Sequence, residues 1–167
     1  MKLFSENIED LRTLYIAELK KALDMEQKIT KALPDMVEHA TDPKLSSAFR
    51  THLEETKGHV AKMERLIKKS TGDLATDTCK VIDGLTTSAS DLITDIKDPS
   101  ILDIALISAA QQVEHHEIAV YGTLRRWAEM LGLSEDANVL ESIETEEGNA
   151  DEILTQISER VNMHAAA

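Results

Sequence analysis

Four stretches of the chain place carboxylates and imidazoles where helix packing calls for apolar side chains. The clearest is AAQQVEHHEIAVYGTL, residues 109–124. Each residue advances about 100° around a helix, which puts Glu114 and Glu117 about 60° apart and Tyr121 about 40° beyond Glu117. Leu106, Ala110, Val113, Leu124 and Ala128 share that face, so three polar residues interrupt an apolar stripe. His115 and His116 point elsewhere, and at least one of these imidazoles is expected in solvent or at an interface.

The anomaly recurs upstream and downstream. In HLEETKGHVAKMERL, Glu55 and His59 lie one turn apart, and His52 lies a turn before them, on a face that also carries Leu45, Phe49, Met63 and Leu66. In SIETEEGNADEIL, Glu147 stands in line with Leu140, Ile143, Ala150, Leu154 and Ile157, and Asp151 follows one turn later. Near the start of the chain, Glu18 falls in line with Leu11, Leu14, Ala22 and Met25. An unpaired buried carboxylate is costly unless it takes up a proton. Several converging carboxylates would also repel one another, and a pair of divalent or trivalent cations removes both penalties. An oxygen-rich donor set with one or two imidazoles suits iron or manganese, and magnesium or calcium less specifically. The chain holds 31 acids, so a solvated face is the ordinary role of any single one. The metal reading rests on the joint pattern, one inward acid near the middle of each of four helices.

Those helices are marked by caps and breaks. The first is expected from about Asn7 to His39, with Ser5 or Asn7 as cap and a kink at Pro34. The second runs from Pro43 to about Ser70, with Asp42 as cap and Pro43 at the first position, and Gly72 ends it. Residues 73–100 form a connector with a shorter helix marked by Val81, Ile82, Leu85, Ala89, Leu92, Ile93 and Ile96, although Gly84 and TTSAS weaken its pattern. The third long helix runs from Pro99 to Leu131, stopping at Gly132. The fourth starts at the Ser134 cap and runs to about Met163, before a frayed HAAA tail. The order predicts an all-α fold: a ferritin-like four-helix bundle of two antiparallel hairpins, with an additional short helix in the crossover. Residues 1–167 read as a single domain.

Composition agrees with that fold and narrows the partners. Aromatic residues are 3% of the chain, so the core must be mostly Leu, Ile, Ala, Val and Met. A net charge of −13 argues against nucleic acid and anionic membranes and suits cations. Cys79 is the one cysteine, which excludes an intrachain disulfide and argues against a thiolate cluster. The N-terminal MKLFSENIEDLRTLY has early acids and no apolar signal core, and no apolar run approaches membrane-spanning length, which predicts a cytoplasmic protein.

LYIAELKKAL, HLEETKGHVAKMERL, AAQQVEHHEIAVYGTL and EEGNAD resemble the ferritin-like YciE/YciF family over nearly the whole chain. The resemblance implies a ferritin-like helical fold, association with stress, metal binding and a homodimer. Carried onto this sequence, the di-metal carboxylate pattern gives Glu18, Glu55, His59, Glu114 and Glu147 as ligands, with Glu117 and Asp151 as additions, around two iron or manganese ions. The pattern departs from the usual ferritin-like one. Three residues separate Glu55 from His59, Lys57 stands three after Glu54, and Ala150 stands three after Glu147, so the second Glu-x-x-His is absent. Two functions follow as expectations. One is a dinuclear iron or manganese protein with oxidase- or peroxidase-like activity; the other is a non-enzymatic bundle with a vestigial metal site that acts through its surface.

Overall fold

Helices form where the caps and apolar spacing place them: α1 (Leu11–His39), α2 (Pro43–Thr71), α3 (Lys80–Asp95), α4 (Pro99–Met130) and α5 (Ser134–Ala165). The computed structural model describes residues 8–165, with side chains as far as Val161, and no strand occurs among them. Ser5 and Asn7, expected as caps, lie outside the described residues. The cap that starts α1 is Asp10, whose carboxylate accepts from Thr13 N at 2.8 Å while Thr13 Oγ1 accepts from Asp10 N at 3.1 Å. This reciprocal pairing satisfies two backbone donors at the helix start. Pro34 stays inside α1, which runs on to His39, with the proline ring exposed.

The two Asp-Pro starts match in detail. Asp42 accepts from Lys44 N and Leu45 N at 2.9 and 3.1 Å, and Asp98 accepts from Ser100 N and Ile101 N at the same distances. In each case the proline occupies a position whose N–H would have no partner in the helix. Gly72 and Gly132, with φ of 81° and 71°, close α2 and follow α4 in a conformation that side chains with a Cβ rarely adopt. α3 runs unbroken through Gly84 and TTSAS. Its hydroxyls turn back onto the helix, with Thr86 donating to Ile82 O at 2.8 Å and Thr87 to Asp83 O at 2.7 Å.

Pairing along the chain sets the helix directions. α1 packs along α2 and α4 along α5, and narrower α1–α4 and α2–α5 contacts join the pairs. At one end the start of α1, the end of α2 and the start of α5 meet. There Tyr15 donates to Asp136 at 3.2 Å and Lys69 reaches the same carboxylate at 2.9 Å. At the other end the buried Asp103 of α4 accepts from Thr41 N, Thr41 Oγ1 and Asp42 N at 2.8, 2.7 and 2.9 Å. Arg160 of α5 forms a two-armed ion pair with Asp42 there. α1 and α2 are therefore antiparallel, as are α4 and α5, while α3 lies against α1 and α4. The core is aliphatic with few rings: Leu19, Met25, Leu45, Phe49, Met63, Leu106, Leu124, Leu140 and Ile143 are all buried.

Candidate metal centre

Each long helix buries a series of residues spaced alternately by four and three, which keeps one narrow stripe facing a neighbour. In α1 the series is Tyr15, Leu19, Ala22, Glu26, Ile29 and Leu33; in α2 it is Leu45, Phe49, His52, Thr56, His59, Met63 and Leu66. In α4 it runs Ala110, Glu114, Glu117, Tyr121, Leu124 and Ala128, and in α5 Leu140, Ile143 and Glu147 resume at Leu154 and Ile157. The polar members occupy packing positions. The chain's own helical register therefore drives them inward, whatever their individual preference for water.

They converge as two groups. His52, Glu114, Glu117 and Glu147 offer donor atoms that all lie within 4.8 Å of one another, and Glu26, His59 and Glu147 do the same. Glu147 belongs to both groups. Its Oε2 lies 3.8 Å from His52 Nε2 and its Oε1 lies 2.9 Å from His59 Nδ1. His52 Nε2 is also 3.3 Å from Glu114 Oε1, and His59 Nδ1 is 3.7 Å from Glu26 Oε1. The Tyr121 hydroxyl, wholly buried, donates to Glu26 Oε1.

Protein groups leave this cluster unsatisfied. Among the described residues, nine buried side-chain polar atoms have no hydrogen-bond partner, and all nine belong here: Glu26 Oε2, His59 Nδ1, Glu114 Oε2, and both polar atoms of His52, Glu117 and Glu147. Although His59 Nδ1 is 2.9 Å from Glu147 Oε1, the approach lacks hydrogen-bond alignment. Buried polar groups are ordinarily paired, so orphans focused on one point mark a place that needs further positive charge. Burial, ahead of mutual repulsion, raises the Glu26 carboxyl, lifts Glu114 to about 8 and raises Glu117 well above the carboxylate range. Burial alone would lower the two imidazoles. The surrounding carboxylates outweigh it, Glu55, Glu114, Glu147 and Glu26 raising His52 to about 9, and Glu147 and Glu26 raising His59 to about 10. Four carboxylates and two imidazoles, with oxygens in the majority, fit iron or manganese by donor type.

An outer layer orients His59. Its Nε2 lies 2.7 Å from Glu146 Oε2, and Glu146 is held in turn by Lys62 at 2.9 and 3.1 Å and by Ser142 at 2.9 Å. Burial would raise Glu146, but its bonds to Lys62, His59 and Ser142 hold it down at about 2. The ionised carboxylate accepts a hydrogen bond from Nε2–H, which leaves Nδ1 as the inward-facing ligand atom.

The sequence-derived ligands divide. His59, Glu114, Glu117 and Glu147 lie in the cluster, while Glu18, Glu55 and Asp151 lie outside it. The Glu18 side chain is about one-third exposed and pairs with Lys21 at 2.5 Å. Glu55, 42% exposed, sits at the rim with Oε2 3.6 Å from His52 Nδ1. Asp151 accepts from Gln111 at 3.1 Å. Glu26 and His52 complete the cluster and were absent from that ligand set. Alternating four and three from Tyr15 reaches Glu26, and alternating four and three from Leu45 reaches His52. His115 is mostly exposed, and His116 is half-buried with Nε2 3.8 Å from Cys79 Sγ.

Comparison with known proteins places this arrangement in a family. Residues 10–167 match the model described as domain of unknown function DUF892. YciF of Escherichia coli strain K12 is 33% identical over 153 residues, spanning 91% of this chain and 92% of that one. The structure of that stress protein superimposes with a TM-score of 0.87, at 32% identity, covering 92% of this chain and 97% of the other. YcfI from Rhodopseudomonas palustris, described as a candidate structural protein, gives the same TM-score at 38% identity, over 92% and 98% of the two chains. A protein of Xanthomonas campestris pv. campestris, at 22% identity and a TM-score of 0.76 over 93% and 95%, shares the fold. The chain belongs to the YciF-like DUF892 family.

Proposed function

We propose that this YciF-like chain is a stress-response protein that carries a dinuclear iron or manganese centre in a ferritin-like four-helix bundle, as a single domain over residues 1–167. The observation that carries the reading is the set of nine unpartnered buried atoms on six residues from four helices. His52, Glu114 and Glu117 would hold one ion, and Glu26 and His59 the other. Glu147 would be shared, since its two oxygens face the two imidazoles. Such a pair of ions supplies activation of oxygen or peroxide and accepts electrons from a reductant. The chain's own contributions are separable from that chemistry. Tyr121 fixes one Glu26 oxygen, and Glu146 fixes the ring and tautomer of His59.

The net charge of −13 supports cations as partners ahead of nucleic acid or anionic membrane. No helix among the described residues is long and apolar enough to cross a membrane. Cytoplasmic action as a homodimer completes the reading. Elemental analysis after anaerobic reconstitution with ferrous iron tests it. Two ions per chain, lost in Glu147→Ala, are expected, and a protein that retains no metal overturns it. The missing second Glu-x-x-His favours one rival, a non-enzymatic bundle whose site is vestigial, and that rival predicts the metal-free result.

A further inference from the structure

The narrow contact between α2 and α5 leaves a cleft of about 610 Å³ that reaches His52 and Glu114 from the surface. An apolar strip runs along it, from Ala48 and Phe49 of α2 and Ile153, Leu154 and Ile157 of α5, flanked by polar side chains that include Ser47, Thr51, Asn149 and Gln156, with Glu55 and Glu146 toward the inner end. At the outer end, where α2 begins and α5 finishes, stand Lys44 and Arg160. Arg160 is committed to Asp42, whereas the exposed Lys44 forms no ion pair among the described residues. The cleft thus has a cation at one end that no described carboxylate pairs with, an apolar strip along its middle, and the inner cluster of acids and imidazoles at the other. Lys44 and His52 are eight residues apart, about 12 Å of helix rise, roughly the length of an extended ten-carbon chain.

The shape of the apolar surface selects the occupant. Phe49, Leu154 and Ile157 are 2%, 3% and 7% exposed, and only Ile153, at 47%, stands out from the wall. A partner subunit buries about 800 Å² on each side of a stable interface, and this wall offers it one protruding apolar side chain. A recessed slot with an apolar strip between a cationic outer end and a polar inner end fits a slender amphiphilic small molecule. We infer that the α2–α5 cleft binds a medium-chain fatty carboxylate, with its head group at Lys44 and its tail running inward to the His52–Glu114 end of the cluster. The inference rests on the metal reading in one respect: it names the substrate class that such a centre would meet.

Calorimetric titration with decanoate and with decylamine, on metal-loaded and chelator-treated protein, tests the inference. Decanoate should bind saturably at one site per chain, about tenfold more tightly than decylamine. Lys44→Glu should remove that preference, and Ile153→Glu should weaken both ligands. Both substitutions fall on exposed side chains, so the fold tolerates them. The inference is overturned by absence of saturable decanoate binding, by equal affinity for decylamine, or by an unchanged preference in Lys44→Glu. It is overturned equally if Ile153→Glu turns a dimer into a monomer while decanoate affinity stays the same, because the cleft would then hold a second copy. Metal analysis of the same samples separates the readings. Decanoate bound without metal retires the metal centre alone, and metal bound without decanoate binding retires the cleft proposal alone.

Discussion

Raising the pH should destabilise the metal-free chain and strengthen the effect of metal on it, and the size of both changes follows from the cluster. Glu114 moves from an ordinary 4.5 to about 8 in the folded chain. Throughout that window the folded state keeps a proton that the unfolded state has released, so stability falls as pH rises through it. His52 and His59 rise from 6.5 to about 9 and about 10. Their contribution is fully present below 6.5 and is lost as pH climbs through the folded values, which is the same sign. A neutral Glu114 cannot raise His52, so these effects do not simply add; with Glu26 and Glu117 raised as well, the cluster counts as about one extra proton at the least in the folded state. One proton over about three pH units, from roughly pH 5 to pH 8, amounts to about 4 kcal/mol, or about 10 °C in melting temperature for a chain of this size. Cation binding runs the other way, because it displaces those protons, so affinity grows as pH rises.

The assay is thermal unfolding followed by circular dichroism across that pH range, with excess chelator and with saturating manganese. The chelated protein should melt about 10 °C lower at pH 8 than at pH 5, and the gap between chelated and loaded protein should widen steadily with pH. The general repulsion of a chain with net charge −13 is common to both curves and cancels in the gap. Glu147→Gln should collapse the gap, since it removes the carboxylate that both donor groups share while keeping the side-chain shape. Superimposed curves with and without metal at every pH would refute the reasoning.

Glu26→Ala should lower bound metal by about half or more, whereas Glu18→Ala should leave it unchanged; elemental analysis of both variants checks this. Glu146→Ala frees His59 Nε2 and should weaken metal affinity about tenfold to a hundredfold, with Glu146→Gln recovering part of the loss, as read by competition with a chromophoric chelator. Asp103→Ala leaves Thr41 N, Thr41 Oγ1 and Asp42 N without their acceptor. It should cost about 3 kcal/mol in urea unfolding with metal stoichiometry unaffected.

What could be read from the sequence alone divides along physical lines. Helix ends depend on local chemistry, and they were legible: Asp42 with Pro43, Asp98 with Pro99, and the glycines at 72 and 132 act where their local rules place them. α3 was legible as a shorter helix marked by its apolar residues, although Ser and Thr weaken its pattern. Its threonine hydroxyls are satisfied by carbonyls of their own helix, so the polar run does not break it. Sequence alone puts the start of α1 four residues early, because Ser5, Asn7 and Asp10 are all competent caps and the Asp10–Thr13 pairing singles out the last. The cleft has no counterpart in the sequence, since it depends on how far α2 stands from α5.

Glu18 and Glu26 show why the centre was half legible. They are eight residues apart, about 80° around the helix, and both lie near a stripe that includes Ala22 and Ile29. The line through Leu11, Leu14 and Met25 favours Glu18, and the line through Tyr15, Leu19 and Leu33 favours Glu26. A single helix cannot choose between them, because an α1 that packs against α2, α3 and α4 buries a broad sector. The neighbours decide. Glu26 lies level with His59 and Glu147, while Glu18 is a little over two turns nearer the end where Tyr15 meets Asp136. Level along the axis is set by loop lengths and helix direction, which belong to the assembled fold. A search restricted to helical faces therefore finds which residues point inward, and only the pairing of helices end to end finds which of them meet.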